Sequence, residues 1–126
     1  MPRRASAHPT EAELELLNIL WRHGPRTVRQ VHEIVQADRD TSLTTTLSIL
    51  QIMTKKGLVL CSDTRPHIYT AAVPEEQTQA GLVKDLVRKA FGGSIQKLLV
   101  RAVGEGGLSR EELREIRKLI DGMRRK

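Results

Sequence analysis

At 126 residues the chain is long enough for one compact unit or two very small ones. Its apolar fraction is 39 %, and its only aromatic residues are Trp21, Tyr69 and Phe91, so a second copy of the chain is a natural place to bury further aliphatic surface. The net charge of +6 favours a polyanionic partner, nucleic acid ahead of an anionic membrane surface. Residues 1–74 carry 9 Lys+Arg against 7 Asp+Glu and residues 75–126 carry 12 against 8, so a nucleic-acid footprint must come from placement rather than bulk charge. Cys61 is alone, which excludes a disulfide framework or a thiolate metal cluster within one chain. With no apolar run near 18 residues and no signal-peptide pattern, the expectation is a soluble, cytoplasmic protein with no membrane insertion.

The first nine residues, "MPRRASAHP", have no apolar periodicity and read as a flexible arm. Thr10 and Glu13 then form the S/T-x-x-E pattern of a capping box, opening a first helix over about 10–22 that ends at "HGP". Thr27 heads a second helix over about 28–36, with Val28, Val31, Ile34 and Val35 at helical spacing. A polar turn leads to a third helix over about 42–56, capped by Thr41 or Ser42 and closed by Gly57. "LVLCS" and "IYTAA", separated by "DTRPH", read as a β-hairpin with a basic tip. The remainder is helical: a stripe over 75–91 with Leu82, Val83, Leu86, Val87 and Phe91, a break at Gly92-Gly93, and a short helix from Ser94 with Ile95, Leu98 and Leu99. A last helix follows the Ser109/Glu112 capping pattern and carries Leu113, Ile116, Leu119 and Ile120.

Three helices followed by a hairpin is the order of a winged helix-turn-helix, whose third helix enters the DNA major groove. At about 100° per residue, Thr44, Thr45, Ser48, Gln51, Ile52 and Lys55 share one face of that helix, and Leu43, Thr46, Leu47, Leu50 and Met53 share the opposite one. Short hydroxyls allow close backbone approach and bond to phosphates or base edges. The helix N-terminus at Ser42 offers orphan N–H groups to phosphate. Thr46, facing inward, is expected to bond an i−4 carbonyl. Ile52 is an apolar intruder on the polar face: it flanks the core, meets a thymine methyl or touches another part of the protein.

The segments "TEAELELLNILWRHGPRTVRQVHEIV" and "TSLTTTLSILQIMTKKGLV", with "AFGGSIQKLLV" and "LSREELREIRKLI" further on, resemble the BlaI/MecI family of penicillinase and methicillin-resistance repressors over about Thr10 to Arg124. The resemblance implies a mainly α fold: an N-terminal winged helix-turn-helix (three helices plus a β-hairpin wing) and a C-terminal helical dimerisation region. It implies a homodimer on a near-palindromic double-stranded DNA operator, and a membrane sensor metalloprotease system as upstream partner, relieving repression by cleavage in the dimerisation helices. Carried over by position, Ser42, Thr44, Thr45 and Ser48 face the operator, Lys55 and Lys56 form the basic end of the recognition helix, and Arg65 and His67 lie on the wing. Thr27, heading the second helix, joins this DNA-binding set. Leu82, Leu86, Phe91, Ile95, Leu98, Leu99, Ile116, Leu119 and Ile120 form the dimerisation set.

The chain departs from the family pattern in places. Arg101-Ala102 stands at the cleavage position where the best-known members have Asn-Phe, so protease-triggered derepression does not carry over. Thr44, Leu47 and Ile52 replace basic residues of the recognition helix, so the operator sequence does not carry over either. The cysteine metal motif of copper-responsive relatives is missing.

The expected organisation is therefore an arm over 1–9, a DNA-binding winged helix over 10–74 and a helical dimerisation domain over 75–126. No nucleophile–base pattern, glycine-rich phosphate loop, H-E-x-x-H or Cys/His cluster points to an enzyme, a metal or a cofactor. The rival functions are a winged-helix adaptor for another protein and a ligand-sensing regulator not released by proteolysis.

Overall fold

The computed structural model describes residues 8–104 and 106–124, so most of the expected arm lies outside the described residues. The elements run α1 (Glu11–His23), β1 (Arg26–Thr27), α2 (Val28–Gln36), α3 (Leu43–Lys56), β2 (Val59–Cys61), β3 (Ile68–Ala71), α4 (Glu75–Ala90), α5 (Ile95–Gly104) and α6 (Arg110–Arg124). The fold is mainly helical with one small antiparallel sheet, as a winged helix followed by a helical carboxyl region requires. The chain divides into two compact units between Leu82 and Val83, within α4.

In the first unit, each of the first three helices starts on a hydroxyl cap. Thr10 Oγ1 accepts the Glu13 N–H at 3.1 Å, and the Glu13 carboxylate accepts the Thr10 N–H at 2.9 Å. Thr27 and Gln30 repeat the arrangement at α2, and Ser42 Oγ accepts the Thr45 N–H at α3. These bonds satisfy donors that the first helical turn leaves without intrahelical acceptors. At the far end of α3, Gly57 adopts φ +83°, ψ +14°, a left-handed conformation that a side chain would strain. Its N–H reaches Thr54 O at 3.2 Å and the Leu58 N–H reaches Met53 O at 2.9 Å, the paired bonds of a Schellman stop. Buried Leu58 and Met53 accompany it, so the helix end and the start of the wing are fixed together.

The sheet order is β1-β3-β2, with Val59, Leu60 and Cys61 opposite Ala71, Thr70 and Tyr69. Ser62 N–H to Ile68 O and Ala72 N–H to Leu58 O extend the ladder at both ends, so the hairpin spans the two expected segments. β1, absent from the sequence expectation, adds Arg26 opposite Tyr69 and Thr27 opposite Ile68, making the sheet three-stranded. Its two residues are too few to show a period-2 pattern. The core gathers Leu16, Leu17, Leu20, Val31, Val35, Leu50, Met53, Val59 and Tyr69. The Trp21 indole N–H donates to Val73 O at 3.0 Å, tying α1 to the chain that leaves the sheet.

In the second unit, Gly92 and Gly93 end the α4 segment at positive φ, and the Gly93 N–H returns to Val87 O at 2.9 Å. Ser94 Oγ accepts the Lys97 N–H at the head of α5. Ser109 and Glu112 form the expected capping box of α6, with both bonds at 3.0 Å. Among the described residues Val87 is the only buried hydrophobic residue of this unit, and Leu86, Ile95, Leu99, Leu119 and Ile120 are exposed.

Candidate nucleic-acid interface

The two faces of α3 separate as its periodicity dictates. Thr46, Leu50 and Met53 are buried, whereas Thr44, Thr45, Ser48, Gln51, Ile52 and Lys55 are exposed. The helix thus carries a polar outer face on an apolar base.

Two polar bridges hold this helix to the rest of its domain. Near its start, Thr46, only 2 % exposed, bonds His32 Nδ1 of α2 at 3.1 Å, and its hydroxyl also lies 3.4 Å from Ser42 O. The expected i−4 back-bond of Thr46 is therefore present, at a long distance, with a cross-helix partner added. At the end of α3, Lys56 Nζ donates to both carboxylate oxygens of Glu13 in α1. The two bridges grip opposite ends of one helix, so its outer face is presented on a rigid support.

The expected contact residues fall into three groups. Thr44, Ser48 and Lys55 are exposed and have no side-chain partner among the described residues, as has Gln51. Thr45, Ser42 and Thr27 are engaged locally: Ser42 Oγ lies 2.9 Å from Thr45 Oγ1, and Thr27 Oγ1 takes the Gln30 N–H. What Ser42 and Thr27 present outward is a helix N-terminus with its remaining N–H groups and positive dipole end. Lys56 forms the third group: its ammonium is paired with the Glu13 carboxylate.

The wing tip is held by its own network. Ser62 Oγ accepts the Ile68 N–H at 2.8 Å and lies 2.6 Å from Thr64 Oγ1, which donates to Pro66 O at 3.0 Å. His67 Nδ1 lies 2.8 Å from Ser62 O, and Arg65 Nη1 lies 3.2 Å from His67 Nε2. A carbonyl only accepts and a guanidinium only donates, so these contacts fit a neutral His67 protonated on Nδ1. Arg65 and His67 are thereby brought together on an exposed tip.

Sequence reasoning missed the residues behind the interface. Glu13 was legible as a cap, but neither it nor His32 carried a sign of its distant partner. In the turn before α3, Arg39 donates to Glu15 at 2.7 Å, and this bond with the carboxylate's charge raises the guanidinium above its ordinary value. Arg101 and Ala102 lie exposed in α5, with Ala102 O accepting the Gly107 N–H at 3.2 Å. Among the described residues no group of His, Cys, Asp and Glu could hold a metal ion, and no helix is long and apolar enough to cross a membrane.

The family model described as penicillinase repressor matches residues 9–122. The transcriptional regulator BlaI of Mycobacterium tuberculosis (strain ATCC 25618 / H37Rv) is 40 % identical over 100 residues, covering 77 % of this chain and 72 % of that protein. The methicillin resistance regulatory protein MecI of Mammaliicoccus sciuri is 26 % identical over 113 residues, and that of Staphylococcus aureus (strain N315) 25 %. Each alignment with MecI covers 89 % of this chain and 92 % of the relative. With a match spanning both the winged helix and the carboxyl helices, the chain belongs to the BlaI/MecI family of transcriptional regulators.

Proposed function

We propose that this protein is a sequence-specific transcriptional repressor, not an enzyme, acting in the cytoplasm as a homodimer on a near-palindromic operator. α3 lies in the major groove and the β2–β3 wing rests on the phosphate backbone. The observation that carries this reading is the outer face of α3, where Thr44, Ser48, Gln51 and Lys55 are exposed and, among the described residues, unpartnered on a helix braced at both ends. Its relatives' names, a transcriptional regulator and a methicillin resistance regulatory protein, support the same reading.

In this arrangement Thr44, Thr45 and Ser48 meet base edges, and Lys55 meets a phosphate. The N-termini headed by Thr27 and Ser42 take phosphates through backbone N–H groups. Arg65 and His67 contact the backbone from the wing. Lys56 acts behind the interface, through Glu13, rather than on DNA.

The homodimer reading rests on the exposed apolar side chains of α4, α5 and α6, including Leu86, Ile95, Leu99, Leu119 and Ile120. Leu82, Phe91, Leu98 and Ile116, half-buried in one chain, continue the same stripes. A large unpartnered apolar surface is the mark of an association site. Joining two winged helices makes the second DNA contact intramolecular, which raises avidity by about 10²–10⁴. The reading includes no proteolytic trigger, since Arg101-Ala102 stands at the expected cleavage position in place of Asn-Phe, and a fragment ending at Arg101 in induced cells would refute that part.

The test begins with selection of bound duplexes from a randomised pool by the full-length protein. Against the selected duplex, Thr44→Ala should weaken binding with little change in thermal stability. Thr44→Ala with Thr45→Ala should weaken it further, and will also lose the Thr45 support of the Ser42 cap. Unchanged affinity in both variants would remove α3 from the interface, and failure to select any duplex would end the repressor reading.

A further inference from the structure

We infer that Ile52 reads sequence, by setting its side chain against the C5-methyl group of a thymine in each half-site. This rests on the repressor reading above and adds to it a base preference at one position.

Ile52 is 51 % exposed, and it belongs neither to the buried core nor to the partly buried hydrophobic residues packed on it. A role flanking the core is therefore excluded. A solitary exposed isoleucine is ordinary on a protein surface. This one, however, stands one helical turn beyond Ser48 and one before Lys55, on the outer face of a helix whose neighbouring positions are polar and, among the described residues, unpartnered. Thr44 and Ile52 are eight positions apart on that face, about 12 Å along the axis, so both can lie along one stretch of groove.

The chemistry selects the occupant. The major-groove edges offer donors, acceptors and one apolar group, the thymine methyl. A side chain without polar atoms gains nothing from a phosphate or a guanine edge. Set against a cytosine amine, it would displace water from a donor and offer no acceptor in return. Contact with a thymine methyl removes apolar surface of both partners from water.

The test uses the full-length protein and the duplex selected from the randomised pool. Each thymine is replaced in turn, symmetrically in both half-sites, by deoxyuridine, which lacks only the methyl group. For the native protein, the replacement at one position should weaken binding by about fourfold per half-site, the effect of one buried methyl-sized group. Ile52→Ala should bind the thymine and deoxyuridine duplexes equally at that position, while Ile52→Val keeps part of the preference. Circular dichroism of both variants should match that of the native protein, since Ile52 lies outside the core. If native protein and Ile52→Ala show the same thymine-to-deoxyuridine ratio at every position of a duplex that both bind, the inference fails and the repressor reading survives. If no duplex is selected at all, the repressor reading fails first and takes the inference with it.

Discussion

Lys56 Nζ lies 2.8 and 3.0 Å from the two carboxylate oxygens of Glu13, a residue only 5 % exposed. The same carboxylate accepts the Thr10 N–H that opens α1. One buried acid thus caps the first helix and anchors the last turn of the third.

Glu13→Gln should lower unfolding stability, because an amide keeps the Thr10 bond and loses the charge that faces Lys56. Breaking a fully buried ion pair costs about 3–5 kcal/mol. The Lys56 side chain is 31 % exposed, so water screens part of that and the expected loss is about 1–3 kcal/mol. Urea unfolding at fixed protein concentration measures it, and an unchanged midpoint would show that the pair adds nothing.

The adjacent lysines should separate in a salt titration. Lys55 is exposed and has no partner among the described residues, so Lys55→Ala should weaken DNA binding at low salt. It should also reduce the slope of log affinity against log salt by about one per contacting subunit. Lys56→Ala should leave that slope nearly unchanged while lowering stability. Equal slopes for the two variants would place both lysines, or neither, on phosphate.

This division marks how far the sequence could be read. The polar and apolar faces of α3 follow from a 3.6-residue period, and the caps at Thr10, Thr27, Ser42 and Ser109 follow from local patterns four residues long. Whatever is encoded within one turn of helix was legible. Partners set by tertiary packing were not: Glu13 and Lys56 are 43 residues apart, and "KKG" gives no sign that one lysine turns inward. β1 was hidden for the same reason, since Arg26 and Thr27 become a strand only by pairing with Tyr69 and Ile68. At the site, the hydroxyl face was legible as a pattern, whereas the exposure of Ile52 is set by tertiary packing that its spacing does not reveal.

The His32–Thr46 bridge predicts an effect of hydroxyl loss in an apolar setting. Thr46→Val preserves shape and β-branching but leaves the His32 nitrogen and Ser42 O without this partner. A stability loss of about 1–3 kcal/mol is expected, the cost of a buried polar group left unsatisfied. Thr46→Ser should lose less, since it keeps the hydroxyl. Thermal unfolding distinguishes the two, and a Val variant as stable as the native protein would show that the bridge is dispensable.

The carboxyl helices predict an assembly phenotype. Leu98→Asp puts a charge into the apolar stripe of α5, where the proposed second subunit would have to bury it. Sedimentation should show monomers, with the winged helix still folded by its own core, and operator binding should fall with the loss of avidity. An intact dimer with native affinity would move the interface off this face.

Tyr69 predicts how the fold responds to alkali. It sits on the central strand, 3 % exposed, opposite Arg26 on one side and Cys61 on the other. Burial raises its phenol above the ordinary value of 10.0, and the neighbouring Cys61 adds to the rise. Above about pH 10 the unfolded chain therefore releases this proton while the folded chain retains it. The unfolded state then binds fewer protons, so stability declines as pH climbs from the unfolded value toward the folded one. Tyr69 is the only tyrosine, so phenolate absorbance reports it without interference. The native midpoint should lie above that measured in denaturant, and Tyr69→Phe should show a shallower alkaline loss of stability. Coincident midpoints in folded and denatured protein would mean that the hydroxyl is open to water and that the strand pairing around it is looser than described.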